Sequence, residues 1–352
     1  MAVTLSPTPS NQPGLEEKTR FLLDPASYGA ATTRVTMVET HMARVFLTDQ
    51  HAYKMKKPVR SSYLDFSSLD KRYGVLNDEL RLNRRLTDDV YLKLAALRLL
   101  PGGALYLDDG HARDGGDGGD GVAVEWLVQM RRLPEADCLA QQIGAVPKQA
   151  LSPLLRRLCD FYRDSQPIAM SGDQYLAHLR RQIGALWRQL LLPGLALDPR
   201  TINPLASDLL RFVDHSTDLL AQRAEGGRIL EGHGDLRPEH CFLSTPPQII
   251  DCLEFSRDLR CVDPLDEVGY LALECELLGR ADLSEFIAAT YAGECADQAP
   301  ERLCWFYRAY RALLRGQLAG AHLLDANVAQ PERWRQKTQR YLQSARDYAH
   351  RL

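Results

Sequence analysis

The chain has 352 residues, of which 45% are hydrophobic and 25% charged, and its formal net charge is −3 at pH 7. A chain of this length usually forms about two domains, each able to bury a core without disulfide or metal staples. The near-neutral charge argues against a general nucleic-acid binder, which would usually carry a basic excess.

The sequence also excludes several locations. No apolar run reaches the roughly 18 residues that a membrane span requires, and the first residues lack the charged and apolar regions of a signal peptide. The eight cysteines include no closely spaced pair of the CxxC type, which favours reduced thiols that pack as small hydrophobic residues. The sequence therefore predicts a cytoplasmic protein with no membrane or nucleic-acid partner.

The N-terminal third predicts a β-rich lobe with one helix. Residues 1–14 are rich in Ser, Pro, Thr and Asn and are predicted to be disordered. The alternating patterns predict a short helix, three strands and a longer helix in this order: 15–23, 34–39, 44–48, 52–57 and 67–86. Ser67 or Ser68 is the expected N-cap of the longer helix.

Strand-like patterns continue up to Pro134, and helical patterns dominate after it. Residues 90–128 are strand-like, and their Gly/Asp-rich tract at 108–121 is predicted to be a flexible loop rather than a calcium repeat. Helical patterns then surround a compact β patch at 230–263. We expect an α+β fold with a disordered tail at 1–14, an N-terminal lobe at 15–130 and a larger, mainly helical lobe at 131–352.

The sharpest motif is His-Gly-Asp-Leu-Arg-Pro-Glu-His at 233–240, followed by Ile-Ile-Asp-Cys-Leu-Glu-Phe at 249–255. This order is the catalytic layout of kinase-like phosphotransferases. One Asp accepts the proton of an attacking hydroxyl, and a side chain five residues on reaches a metal. The following strand delivers a second Asp to the same metal.

These segments resemble the aminoglycoside phosphotransferase and choline kinase superfamily, and the upstream stretch at 39–86 looks like an uncharacterised bacterial branch of it. The resemblance covers roughly residues 30–320. It implies a two-lobed, protein-kinase-like fold with an antiparallel sheet in the N-terminal lobe. It also implies transfer of the γ-phosphoryl group of ATP, with Mg²⁺, to a hydroxyl group of a small molecule.

The resemblance assigns roles to particular residues. Asp235 matches the catalytic Asp, and Asp251 matches the metal-binding Asp. The phosphate-binding Lys would be Lys56, because Tyr-Lys-Met-Lys resembles the Tyr-Val-Leu-Lys of the family, although Lys54 on the same strand face stays open. Glu79 would pair with this Lys.

Three further elements follow from the same resemblance. The segment from Glu125 to Met130 resembles the interlobe hinge, where backbone groups would pair with adenine. His233 would brace the catalytic loop. The Asp263-Pro264 pair matches an element that ties this loop down.

Two departures from the family stand out. His240 occupies the usual Asn position, and imidazole suits softer metals than Mg²⁺. It would therefore bind Mn²⁺, contact phosphate or brace the loop. A Gly-rich phosphate loop is also missing, and Thr40 and His41 stand where it would lie. This absence weakens a protein-kinase function more than a small-molecule one.

The substrate residues are less defined. Glu254 is either a metal or substrate ligand or an ordinary paired acid. Arg308, Arg311 and Arg315 share one helix face, either as a solvated stripe or as an anionic-substrate site. Two alternatives to a small-molecule kinase remain: a pseudokinase that binds nucleotide as an interaction module, and a kinase or nucleotidyltransferase that acts on a protein.

Overall fold

The computed structural model describes residues 12–60, 64–108, 121–325 and 328–352, together with the backbone of the short strand Thr4–Leu5. Contacts divide the chain into two units. The first unit contains Ala2–Asp137 and the later segment Gln248–Ser256, and the second contains Cys138–Pro247 and Arg257–Leu352. The division thus lies several residues beyond the lobe boundary expected at 130, and it moves one segment of the catalytic motif into the first unit.

The first unit is built on an antiparallel sheet. Its elements are β1 (Thr4–Leu5), α1 (Leu15–Leu23), β2 (Thr36–Glu39), β3 (Ala43–Leu47), β4 (His51–Lys56), β5 (Val59–Arg60), α2 (Leu69–Asn83), β6 (Tyr91–Leu99), β7 (Leu105–Asp108), β8 (Val122–Arg131) and β11 (Gln248–Ile249). Six strands form one sheet in the order β2-β3-β4-β8-β6-β7. Side chains from alternate positions of these strands, including Phe46, Met55 and Leu127, are fully buried in its core.

The helix α2 packs on this sheet as its sequence predicts. Ser68 caps the helix, because its hydroxyl accepts a hydrogen bond from the backbone N–H of Lys71. Leu76 and Leu80 pack with Val128 of β8 in a second apolar cluster. This packing holds one face of α2 against the middle of the sheet.

The N-terminal tail differs in part from its prediction. Residues 1–3 and 6–11 of the predicted disordered tail lie outside the described residues. Thr4–Leu5, however, pair as a strand with Val59–Arg60, because extended backbone can satisfy an exposed strand edge. The Gly/Asp-rich loop prediction falls mostly on residues 109–120, which also lie outside the described residues.

The second unit is mainly helical. Its helices are α3 (Leu139–Gln142), α4 (Ser152–Asp164), α5 (Gly172–Leu190), α6 (Pro199–His215), α7 (Thr217–Glu225), α8 (Pro264–Leu277), α9 (Ala281–Glu294), α10 (Glu301–Ala321) and α11 (Pro331–Ala349). Its short strands are β9 (Leu230–Glu231), β10 (Cys241–Phe242) and β12 (Cys261–Val262), and β9 pairs with β12. Of these helices, α8 and α10 are the most deeply buried, so their polar side chains must find partners inside the unit.

Candidate active site

A chain of ion pairs crosses the interior of the first unit. Lys54 Nζ lies 2.7 Å from Glu79 Oε1 and 2.6 Å from Asp251 Oδ1. Lys56 Nζ lies 2.8 Å from Glu79 Oε2 and 2.7 Å from Glu254 Oε1. Acids and bases therefore alternate from Asp251 to Glu254. The structure thus brings together five charged residues that the sequence analysis singled out: the two candidate phosphate-binding lysines, the acid expected to pair with them, the candidate metal ligand Asp251, and Glu254, which is a paired acid.

Elementary strand and helix geometry places these charges. Successive side chains of a strand point to opposite faces, so Lys54 and Lys56 of β4 share one face. Glu79 lies on α2, which packs over that face, and its side chain is fully buried. The segment 248–256 reaches the same place because Cys252 N–H donates to Asn83 Oδ1 at the end of α2.

The two lysines differ in exposure. The Lys54 side chain is 13% exposed and its partner Asp251 is 42% exposed, whereas Lys56 and Glu254 are 2% and 6% exposed. Burial lowers the pKa of Lys54, but Asp251 and Glu79 more than offset this and raise its pKa well above the usual value. Lys54 therefore stays positively charged, and it lies at the solvent-accessible end of this row of ion pairs.

Asp251 adopts an uncommon backbone conformation. Its φ is 63°, a left-handed value that non-glycine residues rarely adopt and that clusters at functional sites. The conformation is held because the Asp251 N–H donates to the Tyr91 hydroxyl, 3.1 Å away. No local pattern indicates a role for Tyr91, because it lies in a strand 160 residues before Asp251.

The donor set of this cluster fits a magnesium ion held mainly by nucleotide phosphates. Asp251, Glu79 and Glu254 face two lysines, which leaves one excess negative charge, and the Asp251 carboxylate is the most exposed. Mg²⁺ is often bound through one or two carboxylates together with substrate phosphates and waters. In the described part of the chain, no group of three or more His, Cys, Asp or Glu side chains could hold a metal alone.

The two residues predicted to replace the Gly-rich phosphate loop, Thr40 and His41, lie in the turn between β2 and β3. The Thr40 hydroxyl closes the turn between β2 and β3 by accepting from the Ala43 N–H at 3.0 Å. His41 is exposed in this turn.

The segment from Glu125 to Met130 does not form a hinge. It lies inside β8, where Met130 pairs with Ala52 on one side and Tyr91 on the other. Its backbone groups are therefore used by the sheet.

In the second unit, Asp235 is held by two partners that the sequence analysis did not name. Arg237 donates from Nε to Oδ1 at 3.1 Å and from Nη2 to Oδ2 at 3.0 Å. The Tyr270 hydroxyl, on α8, donates to Oδ1 at 2.9 Å. Arg237 was visible within the motif itself, but Tyr270 lies 35 residues away and carries no local signal.

These partners set the charge of Asp235. Burial would raise the pKa of its carboxyl, but Arg237, with smaller contributions from His240 and Arg315, outweighs burial and holds the pKa well below its ordinary value. Asp235 is therefore ionised at physiological pH. An acceptor-only carboxylate with lone pairs still available can receive a hydrogen bond from a hydroxyl group.

Both histidines of the motif brace this loop. His233 is fully buried, and its Nδ1 accepts the Asp235 N–H at 3.2 Å. His240 Nδ1 lies 2.7 Å from the carbonyl oxygen of Asp235, and Nε2 lies 3.0 Å from Arg237 Nη2. Because both ring nitrogens of His240 have partners inside the loop, the geometry favours bracing over metal binding for this residue.

The loop is tied down by residues other than Asp263. Glu267 accepts a hydrogen bond from the Gly234 N–H, and Arg311 Nη1 donates to the Gly234 carbonyl at 3.3 Å. Asp263 instead forms a bidentate ion pair with Arg223, at 2.7 and 2.6 Å. The expected role of Asp263 thus belongs to its neighbours in α8 and α10.

The solvated-stripe interpretation of the three arginines is wrong. Arg308 and Arg311 are 7% and 3% exposed, because α10 packs between other helices. Each arginine meets an acid of α8: Arg308 meets Glu276 at 3.6 Å, Arg311 meets Asp266 at 2.6 Å and Arg315 meets Glu274 at 3.1 Å. Arg311 donates from Nε and Nη2 to the two carboxylate oxygens of Asp266, so its role is structural.

Comparison with solved structures defines the fold class. An aminoglycoside phosphotransferase in complex with GDP and kanamycin matches with a TM-score of 0.56 at 15% identity, over 94% of this chain and 98% of that chain. A choline/ethanolamine kinase family protein from Mesorhizobium loti matches with a TM-score of 0.54 at 15% identity, over 94% and 99% of the two chains. The chain has the two-lobed, protein-kinase-like α+β fold of these enzymes, which confirms the predicted fold.

The sequence relatives are uncharacterised proteins of Mycobacterium tuberculosis and Mycobacterium bovis. They are 32% identical over 291 residues, which is 80% of this chain and 53% of theirs. The chain therefore spans about half the length of the curated relatives it matches. No protein-family model matches the chain. In the described residues, every helix is too short or too polar to cross a membrane.

Proposed function

We propose that this protein is a phosphotransferase that moves the γ-phosphoryl group of ATP to a hydroxyl group of a small molecule. The observation that carries the proposal is the position of Lys54, whose ammonium group bridges Glu79 and Asp251 at 2.7 and 2.6 Å. A strand Lys fixed by a helix Glu, beside a metal-binding Asp, is the arrangement that positions nucleotide phosphates in kinase-like enzymes.

Lys54, rather than the Lys56 that the family resemblance favours, is the proposed phosphate ligand. Lys56 is sealed between two carboxylates with its side chain 2% exposed. Lys54 can exchange Asp251 for a phosphate oxygen while keeping Glu79. This exchange preserves two anionic partners for the cation, so it avoids leaving a buried charge unpaired.

Asp251 is the proposed magnesium ligand. When bound, Mg²⁺ would neutralise charge on the nucleotide phosphates and orient them for displacement. Asp251 suits this role because its carboxylate is the most exposed acid of the cluster and its backbone is fixed by Tyr91. Adenine would be recognised by backbone groups beyond the end of β8, since those within β8 are paired.

Asp235 is proposed to orient the acceptor. The acceptor oxygen forms a bond to the γ-phosphorus while the bond from that phosphorus to the bridging oxygen breaks, and ADP leaves with the electron pair. The hydroxyl proton passes to Asp235 and then to solvent. Since the pKa of Asp235 is held low, it is a weak base that aligns the hydroxyl and receives its proton late, as a loose transition state permits.

One observation favours a second candidate, a nucleotide-binding module without turnover. Arg237 covers both carboxylate oxygens of Asp235, and His240 is occupied within the loop. If Arg237 keeps this position when an acceptor is present, the carboxylate is less able to receive a hydroxyl group.

Incubation of the full chain with γ-labelled ATP, Mg²⁺ and a pool of small hydroxylated metabolites separates these functions. We expect label in the small-molecule fraction, and we expect Asp235→Asn to abolish it while nucleotide-induced thermal stabilisation persists. Stabilisation by ATP without any transfer would support the binding module. Label or nucleotide found covalently on a protein would instead support the protein-directed alternative, and neither binding nor transfer would refute all three.

A further inference from the structure

The second unit carries a group of side chains next to Asp235 that the proposed reaction has not used. Tyr270, which donates to Asp235, lies on α8 one helical turn before Glu274. Glu274 in turn receives Arg315 Nε of α10 at 3.1 Å and the Tyr341 hydroxyl of α11 at 2.8 Å. The helices α8, α10 and α11 thus bring polar groups together one helical turn beyond Tyr270, the residue that contacts the proposed base Asp235.

Arg315 has donor capacity that no protein group fills. Its polar contacts all run through Nε, to Glu274 at 3.1 Å and to the Tyr341 hydroxyl at 3.4 Å. Across the described ranges, neither of its η nitrogens donates a hydrogen bond to the protein. Its guanidinium carbon lies 5.4 Å from the centre of the Tyr341 ring, which fixes the plane of the fork. Arg forks of this kind match carboxylate and phosphate groups.

Lys337 adds a second cation with no acidic partner. It lies on α11 one turn before Tyr341, it is half-buried, and its ammonium group sits 5.7 Å from the centre of the Trp334 ring. It forms no ion pair with any carboxylate in the part of the chain that the structure describes. Burial first, and then the positive charge of Arg315, lower the pKa of Lys337, while the carboxylates of Glu274 and Glu239 partly offset this.

The acids of this group are already satisfied. Glu274 accepts from Tyr341 on both oxygens, at 2.8 and 2.9 Å, and also from Arg315. Asp235 accepts from Arg237 and Tyr270. A third acid, Glu239, meets Arg237 Nη1 at 3.5 Å. Among the described residues, the hydrogen-bonding capacity of this group that stays unused belongs to the Arg315 η nitrogens and the Lys337 ammonium group, so it is positively charged and donating.

We infer that the acceptor carries an anionic group, a carboxylate or a phosphate, and that the η nitrogens of Arg315 and the ammonium group of Lys337 bind it. This inference rests on the proposed function, since it names the class of molecule whose hydroxyl meets Asp235. A polycationic acceptor would instead face the η nitrogens of Arg315 and the Lys337 ammonium group, which has no ion pair with an acid in the described residues. Arg308 and Arg311 are not part of this subsite, because acids of α8 already engage them.

The first test measures anion binding without turnover. Equilibrium dialysis of the full chain with radiolabelled inorganic phosphate, in the absence of nucleotide, should give saturable binding. Lys337→Gln should weaken it about tenfold, as loss of one charge-assisted contact predicts. The control Arg335→Gln, which removes an exposed cation on the same helix, should bind as the wild type does. No saturable binding, or binding that Lys337→Gln leaves intact, overturns the inference.

The second test uses matched acceptors in the ATP assay: glycerate with glycerol, gluconate with sorbitol, and glucose 1-phosphate with glucose. Transfer should occur at least about tenfold more efficiently to the anionic member of a pair, and Lys337→Gln should raise KM more than it lowers kcat. Preference for a neutral member, or for kanamycin or choline, refutes the anionic acceptor while leaving the phosphotransferase intact. Phosphate binding that depends on Lys337, without transfer to any acceptor, contradicts the proposed function and leaves the anion subsite standing.

Discussion

The two charged clusters of this protein are built in opposite ways. In the first unit, Lys54 and Lys56 each pair with two carboxylates. This row of ion pairs from Asp251 to Glu254 is buried except at the end formed by Asp251 and Lys54. In the second unit, Asp235 and Glu274 are saturated, whereas Arg315 and Lys337 keep donors that no acceptor among the described residues fills. The difference indicates that the first cluster is prepared to exchange one anion for another, whereas the second is prepared to gain one.

The largest expected effect is on the base. Asp235→Asn preserves size but removes the charge that orients the acceptor, so phosphoryl transfer should fall by at least about 10³-fold. Steady-state ADP release with the identified acceptor measures it, and an unchanged nucleotide Kd controls for folding. Turnover close to that of the wild type would contradict the assigned role of Asp235.

The next prediction separates the two lysines within the first cluster. Lys56→Met leaves the buried Glu254 carboxylate and one oxygen of Glu79 without their cation, so the free energy of unfolding should fall by about 3–5 kcal/mol. Lys54→Met leaves the more exposed Asp251 unpaired, so it should cost less stability but lower kcat/KM by about 10²-fold. Urea unfolding and kinetics on the same pair of variants measure both quantities. The reverse pattern would make Lys56 the phosphate ligand.

A smaller effect is expected at Tyr270. Its hydroxyl is one of the donors that hold the Asp235 carboxylate, and a hydrogen bond to a charged group contributes roughly 1.5–3 kcal/mol. Tyr270→Phe should therefore lower kcat about tenfold, with KM for ATP unchanged. Tyr310→Phe, a tyrosine of α10 that is remote in sequence from the loop, is the matched control. Equal losses in both variants would point to a general packing defect.

The smallest effect is a change in pH dependence. Because Arg237 holds the pKa of Asp235 well below its usual range, the active ionised form persists as pH falls, and kcat/KM should show no acid limb from this group above pH ~5. Arg237→Gln removes the largest of the lowering influences while burial still raises the pKa, so an acid limb should move upward into the measured range. A variant profile that coincides with that of the wild type would show that Arg237 does not control the base.

The sequence predicts much of the framework because its signals are local. The N-cap Ser68, the shared face of Lys54 and Lys56, and the spacing of Asp235 and Asp251 each depend on a few neighbouring residues. The prediction of a hinge from Glu125 to Met130 is wrong because strand patterns do not mark which residue leaves a sheet. Met130 still has partners on both sides.

Long-range partners explain what the sequence could not predict. The choice between the lysines depends on Asp251, 197 residues after Lys54. The arginines of α10 look like a solvated stripe until their acids on α8, 45 residues earlier in the case of Arg311 and Asp266, are known. Charge periodicity along one helix says which residues share a face, but not whether another helix covers that face.

The segment Gln248–Ser256 has a consequence for the order of folding. It belongs to the first unit although more than a hundred residues of the second unit precede it in the chain. During synthesis, the first unit emerges with Lys54 and Lys56 sharing the single carboxylate of Glu79, and an excess positive charge resists burial. The first unit cannot complete its interior until the ribosome has released residue 256, so a fragment ending at Asp137 would be an unfinished domain.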